Sequence, residues 1–189
     1  MDTIQASSGE SNLREVLRSN ECEPQCEPTQ FRNYSHSEII LENLQSLRKN
    51  EVLCDTGFET KDGTLVLGHK NVLIAASPYF RAMFDNFDES NKDLVNIREL
   101  DSMVLKILVD YIYTGEFIVT KENAQVLLSS ANILQLDFVS AACAEFLQKQ
   151  LDASNCLGIR AFADLHNCTD LLSSSETFIK KQFLEVVKN

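Results

Sequence analysis

Apolar positions change their period twice along this 189-residue chain. Residues 1–33 carry Ser, Glu, Asn and Gln with Pro24 and Pro28 and keep no period beyond a short helical trace at Leu13 to Leu17, so a disordered tail is expected. From Ser35 onward the spacing becomes helical. Ile39, Ile40, Leu44 and Leu47 recur at that spacing, and Ser35 with Glu38 forms a capping-box signal, which predicts a helix from about His36 to Lys49. Residues 52–60 and 64–68 then read as two strands joined at Asp62-Gly63, a strong tight-turn dipeptide.

Residues 70–76 look helical again, and Pro78 both breaks that helix and starts the next, which carries Tyr79 to Phe84. Residues 94–97 alternate as a short strand. Asp101 can cap a strongly apolar helix over 103–113, Gly115 closes it, and 116–119 reads as one more strand. Beyond Thr120 only helical patterns remain, over 123–134, 137–151, 154–165 and about 170–187. Strands mixed with helices and then a run of helices predict an α+β fold with an all-helical C-terminal extension rather than a doubly wound sheet.

A hydrophobic content of 44% is enough to bury a core, which points to a folded protein. The net charge of -11, from 28 acidic and 17 basic residues, opposes attraction to phosphate backbones and argues against nucleic acid as a partner. No apolar run approaches the roughly 20 residues that span a bilayer, and Met1 opens no secretory pattern. The expected compartment is therefore the cytoplasm, with the cytoskeleton and the nucleus as alternatives. The six cysteines are expected as reduced thiols, four of them within apolar patterns. Cys22 and Cys26 sit in the polar tail, and with three histidines in the whole chain no zinc ligand set emerges, so neither metal nor cofactor is expected.

Catalysis would have to recruit Cys54 or Ser77 as nucleophile, His69 as base and Asp55 to orient it. Cys54 lies in an apolar strand pattern, where a thiol is usually buried and inert, and nothing marks an oxyanion hole. The sequence reads as non-catalytic.

Taken together, Leu44-Leu47-Arg48, Cys54-Asp55, His69-Lys70-Val72-Leu73, Ser77-Pro78-Tyr79-Phe80 with Ala82-Met83-Phe84, and Tyr111-Ile112-Tyr113-Thr114-Gly115 resemble the BTB/POZ domain. Leu127-Leu128, Ala131, Leu134-Gln135-Leu136, Val139, Cys143 and Phe146-Leu147 continue the match. Leu151, Asn155 to Ile159 and Ala161 to Asp164 then resemble the start of a BACK domain, as in kelch-like proteins. The resemblance divides the chain into a tail at 1–33, a BTB/POZ domain at 34–150 and a BACK start at 151–189.

That resemblance implies a homodimer, or a heterodimer with related BTB proteins, built on the first helix with Ile39, Ile40, Leu44 and Leu47. Asp55, His69 and Lys70 take the charged positions of the interface, where a buried Asp55 would need His69 or Lys70 as its partner. It also implies docking of cullin-3, the scaffold of a ubiquitin ligase, by Phe87, Asp88 and Glu89 after the aromatic helix, with Phe87 where the family more often has Met or Leu. Leu136 and Phe138 match positions near the same face, and Cys156, Leu157 and Ile159 could line a groove in the helical pair that follows. For Phe87 to Glu89 a solvated acidic loop explains the same run, and for each of the other apolar residues plain packing on the chain's own core explains the same spacing. No residue matches a kelch blade, so substrate recruitment and the actin binding common among kelch relatives fall on no position here. The expected role is an adaptor of ubiquitin ligation, and the alternative is a truncated regulatory or scaffolding dimerisation module.

Overall fold

The computed structural model of the chain describes residues 28–85 and 94–182. The expected tail lies outside these residues as far as position 27. Residues 28–34 belong to a unit of their own, exposed and without regular secondary structure, in which the Arg32 guanidinium lies 5.3 Å from the centre of the Tyr34 ring.

From Ser35 the second unit runs α1 (His36–Lys49), β1 (Thr56–Glu59), β2 (Leu65–Gly68), α2 (Lys70–Ala76), α3 (Pro78–Asp85), β3 (Leu94–Asn96), α4 (Ser102–Thr114), α5 (Ala124–Ile133), α6 (Asp137–Lys149), α7 (Cys156–Leu165) and α8 (Thr169–Lys181). The fold is mixed α+β with a helical C-terminal part. The strands form one sheet in the order β2-β1-β3, with β1 antiparallel to β2 and parallel to β3. Phe58 pairs with Val66 on one side and Val95 on the other, and all three are buried on the same face.

The hairpin turns where the sequence says it should. Gly63 has φ 79°, and the Asp62 carboxylate accepts hydrogen bonds from the Thr60 hydroxyl at 2.5 Å, the Ser102 hydroxyl at 2.7 Å and the Thr64 amide at 3.2 Å. Those bonds, the Thr60 hydroxyl first, hold its carboxyl far below the usual range.

Two strand expectations change. The first strand begins at Thr56 rather than 52, because Glu51 and Leu53 both take φ 57°, a left-handed conformation that interrupts an extended run. Residues 116–119 form no strand. Phe117 and Val119 are half-buried around an exposed Ile118, so the alternation is real, but no described strand lies beside it to supply a ladder.

Helix α4 is the axis of the unit. Asp101 caps it by accepting from the Met103 and Val104 amides at 2.9 and 3.3 Å, and Gly115 at φ 72° closes it by donating to the Tyr111 carbonyl. Ser35 occupies the equivalent place before α1, but its side chain makes no capping bond. Leu105, Leu108, Val109 and Tyr113 are fully buried, and the same core reaches Phe58 and Phe80, whose rings stack at 5.0 Å. It continues without interruption through Leu127, Leu128 and Val139 to Ile159 and Leu171. Ser77 ties its middle together, donating its hydroxyl hydrogen to the Leu134 carbonyl at 2.6 Å while accepting from the Phe80 amide at 3.2 Å at the start of α3.

Candidate functional site

Helix α1 divides its apolar residues between two faces. Ile39 and Ile40 are 48% and 44% exposed, Leu47 is half-buried, and Leu44 packs against the chain's own core. The inner face is held by Arg48, whose side chain is 10% exposed. Its guanidinium pairs with the Asp110 carboxylate, donates from Nε to Gln45 Oε1 at 2.9 Å, and lies 4.9 Å from the centre of the Tyr113 ring. Gln45 Nε2 donates to the same Asp110 oxygen at 3.2 Å, so two residues of α1 grip one residue of α4.

Below this grip lies His69, which is buried. Its amide donates to the Tyr113 hydroxyl oxygen at 2.8 Å, its Nδ1 is 2.9 Å from that oxygen, and its Nε2 is 3.0 Å from the Val52 carbonyl. A carbonyl only accepts, so the neutral tautomer that satisfies both partners carries its hydrogen on Nε2, and Nδ1 accepts the hydrogen of the Tyr113 hydroxyl. Burial pushes the Tyr113 phenol up, against the opposing pull of the His69 amide and Arg48.

Asp55, expected at the pairing interface with His69 or Lys70 as its partner, meets Lys70 through the backbone. It is exposed, and its Oδ1 accepts the backbone amide of Lys70 at 2.7 Å, which anchors the first turn of α2. A short polar side chain at the rim of a helix start needs no burial to satisfy that amide. The Lys70 ammonium lies 5.7 Å from the Phe84 ring centre.

A catalytic reading of the same group fails on chemistry. Burial, first among the causes, raises the Cys54 thiol, although Arg48 pulls the other way, and its sulfur stands 3.9 Å from a histidine nitrogen already committed to Val52. The Ser77 hydroxyl is committed to Leu134. Among the described residues no group of three or more His, Cys, Asp or Glu is placed to hold a metal ion, and no helix is long and apolar enough to cross a membrane.

The expected docking residues differ in exposure. Phe87, Asp88 and Glu89 lie outside the described residues. Leu136 and Cys156 are buried, which removes them as free contacts: Leu136 closes the α5–α6 turn with its amide on the Ala131 carbonyl, after Gln135 at φ 53°. Ile159 belongs to the core at 4% exposure, although it reaches the wall of a cavity of about 300 Å³ beside Phe146, Leu147 and Gly158. Phe138 and Leu157 are open to solvent, at 65% and 56%. Phe138 stacks on Tyr111 at 6.3 Å with the rings 3° apart, and Phe117 meets both rings edge-on at 5.4 and 6.4 Å.

Comparison with known proteins places this geometry. The BTB/POZ domain model matches residues 44–151, from Leu44 on α1 through the end of α6. The chain belongs to the BTB/POZ domain family. A second model, BTB And C-terminal Kelch, matches residues 156–189, so α7 and α8 are the part of BACK that follows this BTB/POZ domain. Kelch-like protein 2 of Homo sapiens is 46% identical over 153 residues, which is 80% of this chain and 26% of that protein. Kelch-like protein 3 of Rattus norvegicus is 41% identical over 186 residues, 98% of this chain and 29% of its own length. The chain thus spans less than a third of these curated relatives.

Two residues of the polar cluster in this BTB/POZ domain went unmarked in the sequence, Gln45 and Asp110, and Tyr113 was marked by its motif without its bond to His69. Asp110 and Gln45 are 65 positions apart, and His69 and Tyr113 are 44 apart. A polar residue recurring inside an apolar helix, as Asp110 does between Val109 and Tyr111, was the available signal, since a charge so placed usually has a partner.

Proposed function

We propose that this chain pairs with a second copy through the outer face of α1 and docks cullin-3, as the dimerising adaptor part of a ubiquitin ligase, with no catalytic step of its own. The direct succession of BTB/POZ and BACK matches in one chain carries the reading, and the surface supports it. Ile39 and Ile40 leave an apolar strip on a helix whose other face Arg48 locks to α4, and covering each would contribute about 1.5 to 3 kcal/mol. Of the residues assigned to docking, Phe138 and Leu157 are apolar and accessible. No residue of this chain is assigned to a substrate.

Calorimetry of the whole chain against the N-terminal portion of cullin-3 tests the docking half, and light scattering at micromolar concentration tests the pairing half. A dimer that binds one cullin per chain, and loses about tenfold or more in affinity with Phe138→Ala or Glu89→Ala, is the expected result. A clean monomer withdraws the pairing. A dimer without measurable cullin affinity withdraws the adaptor role and leaves a pairing module.

A further inference from the structure

Two cavities adjoin at the C-terminal end of α4. One, of about 790 Å³, is lined by Ile107, Phe117, Ile118 and Phe138 and is chiefly apolar. The other, of about 640 Å³, runs along α1 past Glu38, Leu41, Glu42 and Lys49. Thr114 and Glu116 line both, so the two are halves of one surface feature.

The halves differ in chemistry. In the first, Ile118 and Phe138 are 77% and 65% exposed, and the rings of Tyr111 and Phe117 back Phe138 with a stacked and an edge-on contact. Large apolar groups gathered in a concave site are a usual mark of a contact surface. In the second, Glu38, Glu42 and Glu116 set three carboxylates against Lys49, the single cation of its lining, and Asp110 adds a fourth carboxylate at the boundary, half-exposed and shared with Arg48. The last turn of α4 carries no basic residue, so its outward carbonyl ends add to the negative field.

We propose that this paired feature is a docking site for a linear segment of a partner protein in which an apolar anchor is followed within a few residues by Lys or Arg. The anchor seats between Ile118 and Phe138, and the cation reaches over Glu116 toward Glu38 and Glu42. Charge selects the partner here: an acidic segment meets three or four carboxylates, while a basic one gains from each of them. The site shares Phe138 with the residues assigned to cullin docking, and its own lining, Ile118 with Glu116, Glu38 and Glu42, carries none of the others, so a chain that captures no cullin can still bind such a segment.

The test is nuclear magnetic resonance titration of the whole 15N-labelled chain with the blocked hexapeptide Ac-LLARRA-NH2 and its charge-reversed twin Ac-LLAEEA-NH2. The basic peptide is expected to give saturable shifts at the amides of Gly115, Glu116, Ile118 and Phe138 that weaken with added salt, and the acidic one none. Glu116→Lys and Phe138→Ala, both at exposed positions, are each expected to weaken binding about tenfold. Equal responses to the two peptides, shifts located elsewhere, or affinity unchanged in both variants overturns the proposal. Protection of these amides by a second copy, with no response to either peptide, overturns it equally. Cullin-3 affinity, measured separately on the same samples, bears only on the adaptor role.

Discussion

His69 and Tyr113 hold each other twice: one phenol oxygen takes the amide hydrogen of His69 at 2.8 Å and faces its Nδ1 at 2.9 Å. This pair of hydrogen bonds between distant residues joins the start of α2 to the end of α4, and through Nε2 it also fixes the Val52 turn that leads into β1. Tyr113→Phe keeps the ring and removes both bonds, leaving a buried amide and a buried imidazole nitrogen unsatisfied. The expected loss is about 2 to 4 kcal/mol, read as a lower urea midpoint at unchanged slope. A midpoint within error of the wild type would show that the phenol oxygen contributes nothing net. Long-range 15N spectra of the wild type should find the His69 hydrogen on Nε2.

Local signals were legible in the sequence, and long-range polar ones were not. Asp101, Gly115 and Asp62-Gly63 act within a few positions of themselves, so capping and turn chemistry mark α4 and the hairpin directly. Residues 116–119 misled because alternation reports burial, while a strand also needs a neighbour for its backbone. Leu136, Cys156 and Ile159 misled for a related reason: helical spacing marks an apolar face, and it does not say whether the chain itself or a partner covers that face. The bond from the Lys70 amide to Asp55 depends on how the approach to β1 meets the start of α2, which no spacing encodes.

Thr56 sits at the start of β1, 2% exposed, with its hydroxyl oxygen buried and without a hydrogen-bond partner. Valine has the same shape and no such group, and it suits a strand at least as well. Thr56→Val should raise stability by about 1 kcal/mol in urea denaturation. Destabilisation would mean that the hydroxyl is satisfied in solution.

Two glycines should respond to alanine in opposite directions. Gly115 closes α4 at φ 72°, where a Cβ meets no atom yet strains the backbone, so Gly115→Ala should cost about 1 kcal/mol. Gly158 lies inside α7 with open space around its Cβ position, and Gly158→Ala should gain about 0.5 to 1 kcal/mol from helix propensity alone. Thermal melts of both variants decide this, and shifts of the same sign would refute it.

Cys143 is fully buried on α6, and burial pushes its thiol up to about 11 from an ordinary 9.0. The folded state therefore holds the thiol proton more tightly than the unfolded chain does. Its contribution is complete below pH 9 and fades as pH rises from there toward 11. Cys143→Ala removes the titration at the cost of a small void, so the stability advantage of the wild type over this variant should shrink above pH 9. A difference that stays flat from pH 7 to 10.5 would place the thiol in an ordinary environment. Alkylation by iodoacetamide at pH 8 should correspondingly spare Cys143 in the folded chain.

Helices α7 and α8 belong to the same core as the helices before them, although a separate family model covers them. Ile159, Ala163 and Leu171 sit in one buried cluster with Val139, Cys143 and Leu147 of α6, and Arg160 bridges α7 to α8 through Glu176 at 3.1 Å. A chain cut after Gln150 loses the burial of Ile159 and Leu171, about 3 to 6 kcal/mol as an upper figure, and uncovers one side of α6. The whole chain should unfold in a single transition by both circular dichroism and calorimetry, with the shortened one melting well below it. Two separate transitions in the whole chain, or equal melting of the two, would make α7 and α8 an appended unit whose contacts with α6 add no stability.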